Sequence, residues 1–317
     1  MGKWVFGLKS LKALSERGLA SQELPSGVPF DYALAWDLIP RLLGASFPGT
    51  DLSLDGLIEE IGGKWVRDHV AARHRKTPYL RALPQGEVDY DLHRLRVTDL
   101  AELLYNLQTV TGIDPIYRRI VDDPSKIEAT VLELEGFRLL WLAGLSFKVV
   151  HTGAGESLNY DCEIALPSGT TAYCEMKCKI ETTAYSENSL ANALRQARAQ
   201  LPKPGCGIIL VKFPQSWVDG PQEMVDSINS TIRDFLRNTT RVSEVAWYAR
   251  LVKYSGEWGF PLITFNEYLN DRSPYVEALG RGLLHRGLQH QTGWVHLSGI
   301  TREGLQQLLA AALESPR

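Results

Sequence analysis

The spacing of hydrophobic residues divides the chain into regions with different predicted structure. Up to about residue 122, apolar residues recur at helical intervals in DYALAWDLIPRLLG, LSLDGLIEEIGGKWVRDHVAARH and VTDLAELLYNLQTV, and Pro and Gly residues separate these segments. Beyond this point, short runs rich in β-branched and aromatic residues alternate with helical patterns. We therefore predict a mainly helical N-terminal region at residues 1–122 and an α/β core at residues 123–214.

The core has the predicted order helix, three strands, helix, strand. The sequence DDPS is typical of a helix start, and KIEATVLELEGFRLLWLAG continues that helix to a stop near Gly144. FKVVHTG, NYDCEIAL and TAYCEMKCKI predict the three strands, ENSLANALRQARAQL predicts the second helix, and GIILVKF predicts a buried strand. This order predicts a mixed sheet that is flanked by helices.

Residues 215–317 carry weaker patterns, which we interpret as an α+β extension packed on the core. PQEMVDSINSTIRDFLRN predicts an amphipathic helix, EVAWYARLVKY and PLITFN predict strands, and REGLQQLLAAALE predicts a closing helix. The first of these two strands is a candidate to extend the central sheet.

Composition and charge restrict the possible partners. The 317 residues are 44% hydrophobic and 9% aromatic, as in packed globular proteins, and no run of eighteen apolar residues or signal-peptide core occurs. We expect a cytoplasmic protein without membrane attachment. A net charge of -3 gives no overall attraction to nucleic acid, so such binding would need local basic patches. Candidates are the basic residues between Lys64 and Lys76, and the group Arg281, His285 and Arg286, although both also fit solvated surface.

Three ionisable residues have a spacing that predicts a shared site. In a strand, alternate side chains lie on the same face, so Glu175 and Lys177 should emerge together while Met176 faces the other way. If the preceding strand pairs with this one, Asp161 joins them. Two adjacent carboxylates repel each other unless a cation lies between them, which favours a divalent metal with a lysine beside it. An exposed salt-bridge cluster is the alternative.

The four cysteines are predicted to lie away from this site. Cys162, Cys174 and Cys178 have the opposite strand parity to the carboxylates, and Cys206 directly precedes the predicted strand GIILVKF. We interpret them as buried packing residues. Zinc or iron-sulfur ligation and disulfide formation remain alternatives, although no Cys-x-x-Cys pair occurs.

The order of elements, with Asp161 on the second strand and Glu175-x-Lys177 on the third, resembles the PD-(D/E)XK nuclease superfamily, which has the restriction-endonuclease-like fold. The resemblance covers residues 123–214, although Tyr160 stands where the motif has proline. It implies that Asp161 and Glu175 bind metal and that Lys177 is catalytic. Many members also have a glutamate on the first helix, for which Glu133, eleven residues before the glycine that ends the helix, fits best and Glu128 and Glu135 are the reserves.

The resemblance further implies a function and a set of substrate contacts. Some members carry a glutamine on the second helix that faces the site, here Gln196 or, one turn later, Gln200; Arg195, Arg198 and Lys179 are candidate contacts to the nucleic-acid backbone. We expect a nuclease that depends on Mg²⁺ or Mn²⁺ and acts on nucleic acid, with DNA preferred, in restriction, repair, recombination or phage defence. The helical N-terminal region would serve recognition, homodimer formation or a partner protein. The alternative is a catalytically silent module for nucleic-acid binding or assembly.

Overall fold

The computed structural model describes residues 90–150, 159–255 and 258–280, together with residues 38, 39, 42, 43, 79, 282 and 294. The chain divides into two compact units, one of residues 1–109, 114–127 and 295–317 and the other of residues 110–113 and 128–294. Several predictions lie outside the described residues: the helical pattern at 52–74, both basic groups and the closing helix at 302–314.

The described part of the first unit is helical. Helix α1 spans Tyr90–Leu107 and helix α2 spans Asp114–Asp122, followed by a 3-10 turn at Pro124–Lys126. Buried leucines of α1 pack with the apolar side of α2, and the Tyr117 hydroxyl donates to the carbonyl oxygen of Leu104 at 2.5 Å. The helix predicted from VTDLAELLYNLQTV is therefore present within α1.

The second unit contains the predicted sequence of helix, three strands, helix and strand, which is confirmed. Its helices are α3 at Ile127–Leu142, α4 at Glu187–Gln200, α5 at Gln215–Val218, α6 at Gln222–Arg237 and α7 at Val276–Leu279. Its strands are β1 at Ser146–Val149, β2 at Cys162–Ala165, β3 at Thr171–Cys178, β4 at Cys206–Lys212, β5 at Val242–Ser255 and β6 at Trp258–Leu269. No described helix is both long and apolar enough to cross a membrane.

The six strands form one mixed sheet in the order β1-β2-β3-β4-β5-β6. Strand β2 is antiparallel to both β1 and β3, whereas β3, β4 and β5 run parallel to one another, and β6 returns antiparallel to β5. The α/β class with a mixed sheet is thus confirmed, and β5 extends the central sheet as predicted.

Helices cover both faces of the central strands. On one face, α4 and α6 pack on β4 and β5 through a continuous apolar cluster that includes Leu194, Ile209 and Ile232. On the other face, α3 lies so close to β3 that a Cβ placed on Gly136 would lie 2.5 Å from Cε of Met176. Every residue of β4 is buried, as predicted for its apolar run. The sheet therefore has one face for α3 and another for α4 and α6.

The cysteines occupy the positions expected from strand parity. Cys162 and Cys174 are direct register partners on β2 and β3, and both are buried. Cys206 is also buried and Cys178 is half-buried, and all four are free thiols. Their burial matches the interpretation as packing residues.

Candidate active site

Asp161 is held between two strands by its backbone and by its side chain. Its N–H donates to the carbonyl oxygen of Cys174 at 2.9 Å, and its carbonyl oxygen accepts from the N–H of Val150 at 2.9 Å. Its Oδ2 accepts from the N–H of Met176 at 2.6 Å. Asp161 was predicted to lie on the second strand, but it precedes the first strand residue, Cys162. In a continued β2–β3 ladder, the N–H of Met176 would donate to a backbone carbonyl oxygen. Here the Asp161 carboxylate accepts that N–H instead, so regular pairing begins only at Cys162.

Glu175 and Lys177 emerge on the same face of β3, as their alternation predicts. The Lys177 ammonium donates to Oε1 of Glu175 and, at 2.5 Å, to Oε1 of Gln200 on α4. Gln200 is itself held, because its Nε2 donates to the carbonyl oxygen of Asn159 at 2.9 Å. Glu175 is 2% exposed, whereas the Lys177 side chain is 24% exposed. Lys177 is therefore more accessible to solvent than Glu175.

The carboxylates of the site repel one another in a poorly solvated place. Burial, followed by the negative charges of Glu133 and Glu175, raises the pKa of Asp161 well above its ordinary value. Burial also raises the pKa of Glu175 from 4.5 to about 7, and the charge of Glu133 adds to this. Lys177 opposes both increases, and the N–H of Met176 opposes that of Asp161. The site thus carries more negative charge than its own lysine neutralises.

Glu128, one of the three helix glutamates considered for this site, belongs to a separate buried ion cluster. Its Oε1 lies 2.8 Å from Nζ of Lys212, which is 1% exposed, and it accepts the N–H of Glu181 at 3.0 Å. The Glu181 carboxylate completes the cluster at 2.7 Å from the same ammonium. Glu128 therefore neutralises Lys212.

Glu135 is also engaged elsewhere, which leaves Glu133 at the site. Oε2 of Glu135 accepts from the Tyr248 hydroxyl, and Oε1 forms an ion pair with Nε of Arg250 at 2.9 Å, although this contact is not aligned as a hydrogen bond. Glu133 is 9% exposed, and its charge raises the pKa of both Asp161 and Glu175. Of the three glutamates, Glu133 is the one coupled electrostatically to both site carboxylates.

The residues present fit a hard divalent cation. Oε2 of Glu175 is buried and has no hydrogen-bond partner among the described atoms unless a proton is shared with Asp161. Carboxylate oxygens are the ligands that Mg²⁺ and Mn²⁺ prefer, and Mg²⁺ keeps several waters beside one or two carboxylates. Within the described ranges, no three His, Cys, Asp or Glu side chains are arranged to hold a metal by themselves. A metal here would therefore complete its coordination with water.

The predicted substrate contacts lie on α4 and just after β3. Gln196 and Arg195 are exposed on α4, where Arg195 donates to the Asn192 side chain at 2.6 Å. Lys179 is half-buried and donates to the hydroxyl of Ser189 at 3.0 Å, and its burial lowers its pKa. The glutamine that reaches Lys177 is Gln200 rather than Gln196. Helical spacing places both glutamines on one face of α4, but it does not show how far the Lys177 side chain extends.

Comparison of the chain with protein-family models, with curated proteins and with solved structures gives no match.

Proposed function

We propose that the protein is a metal-dependent nuclease that hydrolyses phosphodiester bonds of nucleic acid, with DNA as the preferred substrate. The observation that carries this proposal is the convergence of Asp161 and Glu175 beside the Lys177 ammonium, with a buried Glu175 oxygen that has no donor among the described residues other than a proton shared with Asp161. Two carboxylates and a lysine at adjacent strands, within the order helix, three strands, helix, strand, support the resemblance to the PD-(D/E)XK superfamily.

Asp161 and Glu175 would hold a Mg²⁺ or Mn²⁺ ion, with Glu133 adding charge or a further ligand. When bound, such an ion supplies positive charge that neutralises a phosphodiester and favours the deprotonated form of a bound water. Glu133 lies on α3, whereas Asp161 directly precedes β2 and Glu175 lies within β3, so two packed layers fix these oxygens. That rigidity keeps the carboxylates close despite their repulsion.

Lys177 would position the attacking water and stabilise the negative charge that develops on it. An ammonium has three N–H donors, and two of them are bound by Glu175 and Gln200, which fixes the direction of the third. A fixed donor pointing at developing charge is an efficient form of catalysis because it needs no reorganisation. Gln200 is therefore a positioning residue in this proposal.

A second candidate function is a nucleic-acid-binding or assembly module that has lost catalysis. The observation that favours it is the direct ion pair between Lys177 and Glu175, which occupies one of the carboxylate oxygens needed for a metal. Such a module would bind nucleic acid equally well with and without divalent ions. It would show no cleavage under any metal condition.

The test is a cleavage assay with the purified full chain. Labelled single-stranded DNA, duplex DNA, RNA and plasmid are incubated with Mg²⁺, Mn²⁺ or EDTA and resolved on gels. We expect cleavage of at least one substrate that requires the metal, and a loss of at least about 100-fold in Lys177→Ala and Asp161→Ala, because each removes charge stabilisation in the transition state. Lys148→Ala is the matched control, since Lys148 is 57% exposed on β1 and pairs only with Glu163 among the described residues. Full activity in both site variants would refute the assignment.

A further inference from the structure

A basic cleft lies on the second unit and is distinct from the carboxylate site. Its volume is about 550 Å³, and none of the described residues that line it is acidic. Five of them are cationic, and the rest are an asparagine and two threonines. The cationic residues, which define the basic cleft, are Arg198, Lys203, Arg237, Arg241 and Arg272.

The basic cleft is assembled from three connections that are distant in sequence. The first runs from the last turn of α4 into the loop after it, the second runs from the last residue of α6 to β5, and the third follows β6. The Arg241 guanidinium donates to the carbonyl oxygens of Pro202 at 3.0 Å and Ala199 at 3.4 Å, and Arg272 donates to the carbonyl oxygen of Arg237. These bonds fix the guanidinium groups without neutralising their charge. The fold therefore holds like charges together.

The cations of the basic cleft are poorly compensated within the protein. Arg237 pairs with Asp234 at 2.8 Å, but both side chains are largely exposed, so this pair contributes little. The other four have no acidic partner in the described part of the chain. Burial and, after it, the positive charge of Arg198 lower the pKa of Arg241, as expected when two guanidinium groups repel each other. An anion in the cleft would relieve this repulsion.

We propose that the basic cleft binds neighbouring phosphate groups of a phosphate ester or polyphosphate. Guanidinium groups bind phosphate through paired N–H donors, and the threonines and the asparagine can donate to further oxygens. A volume of about 550 Å³ lies within the roughly 300–1,000 Å³ typical of sites for small organic ligands, so it exceeds the need of one inorganic ion. The phosphates come from one of two sources, a nucleic-acid strand or a free nucleoside polyphosphate. The first source rests on the proposed function, and the second does not.

The experiment measures binding without catalysis. Every protein carries Lys177→Ala and is kept in EDTA, and the probes are inorganic tripolyphosphate, a nucleoside triphosphate, and labelled single-stranded and duplex DNA. The cleft variant is Lys203→Gln with Arg237→Gln, because neither side chain donates to a described backbone carbonyl. The matched control is Lys148→Gln with Arg233→Gln, which removes the same charge outside the basic cleft.

We expect the cleft variant to bind at least one class of probe about tenfold more weakly or worse, while the control retains its affinity. For DNA, the dependence of log affinity on log salt should also become shallower by about 2, because two phosphate contacts are lost. A loss confined to tripolyphosphate and the nucleotide identifies a free nucleotide as the source, and a loss confined to DNA identifies the strand.

The proposal is overturned if no probe binds, or if the cleft variant and the control bind every probe equally. Lys203→Glu alone gives the same comparison if the double variant does not fold, as judged by its thermal transition. Failure of the proposed function is a separate result, because it appears as the absence of cleavage by the unmodified chain with metal. Binding measured in EDTA does not depend on that result.

Discussion

Glu128, Glu133 and Glu135 lie on one helix but have different surroundings. Glu128 and Glu135 neutralise cations that are buried with them, Lys212 and Arg250, so their charges are part of the folded structure. Glu133 instead adds negative charge to a place that already holds two carboxylates. Carboxylates that raise one another's pKa at a buried position are typical of functional sites, which makes Glu133 a candidate for function.

Glu133→Gln should impair metal use while leaving the fold intact. Loss of its charge should raise the Mg²⁺ concentration that gives half-maximal cleavage by roughly 10–100-fold, the usual effect of altering groups around a metal. The metal-free variant should still unfold in one cooperative transition, so that the change in metal use is distinguished from a loss of fold.

Glu128→Gln, on the same helix, is the comparison for Glu133→Gln. It should lower the free energy of unfolding by roughly 1.5–3 kcal/mol, because the Lys212 ammonium loses a charged hydrogen-bond acceptor. Urea denaturation of both variants, with metal titrations of their activity, measures these differences. If Glu133→Gln also lost stability and kept its metal dependence, Glu133 would be a structural residue.

At the scale of secondary structure, the distance between α3 and β3 depends on Gly136. A Cβ at this position would lie 2.5 Å from Cε and 2.6 Å from Sδ of Met176, and 3.0 Å from Leu210. This contact sets how near α3, which carries Glu133, approaches the strand that carries Glu175. Helix α3 is buried around most of its circumference, so it has little freedom to move away.

Gly136→Leu should therefore lower the free energy of unfolding by roughly 1–3 kcal/mol, the usual cost of overpacking a core. Met176→Ala in the same chain should recover part of this loss, since it empties the space that the new side chain needs. A double-mutant cycle by urea denaturation measures the coupling, which we expect at about 0.5 kcal/mol or more. If the loss in the double variant equalled the sum of the losses in the two single variants, the two positions would not be coupled, and the placement of α3 would not depend on this contact.

The elements of the core were more predictable from sequence than the contacts between them. Alternation alone predicts that Glu175 and Lys177 share a face and that Met176 faces away, toward what proves to be α3. Period and spacing do not show that the Asp161 carboxylate replaces a backbone acceptor and so delays the start of β2. Nor do they show which glutamate of α3 meets the site, because that choice depends on where buried cations lie in other strands.

The basic cleft was hidden from sequence analysis for a different reason. Its cations come from three connections, near residues 198–203, 237–241 and 272, which only the folded sheet brings together. The basic runs visible in the sequence, at residues 64–76 and 281–286, lie outside the described residues. A run of basic residues in the sequence indicates only exposed surface. The cations of the basic cleft are instead brought together from segments that lie far apart in the sequence.

For the whole molecule, the raised pKa values link stability to pH. A carboxyl whose pKa is higher in the folded than in the unfolded chain binds more protons when folded, so its contribution is present below the unfolded pKa and is lost as pH rises through the folded pKa. For Glu175 this window runs from 4.5 to about 7, which corresponds to on the order of 3 kcal/mol. The raised pKa of Asp161 acts in the same direction. The pKa of Glu163 is lowered, chiefly by its hydrogen bond with Lys148, so the stability that this carboxylate contributes is lost only as pH falls through its folded pKa.

The metal-free protein should therefore lose stability as pH rises from about 4.5 to 7, and Glu175→Gln should remove much of that slope. The background from other titrating groups cancels in this comparison, because both proteins share it. Mg²⁺ should raise the thermal transition of the unmodified chain most at the high end of the window, where the carboxylates are ionised and the cation replaces their repulsion with attraction. Thermal scans at several pH values, in EDTA and in Mg²⁺, measure both effects. Parallel pH profiles for the two proteins would mean that Glu175 ionises without cost, and the argument for a cation at this site would then lose its electrostatic basis.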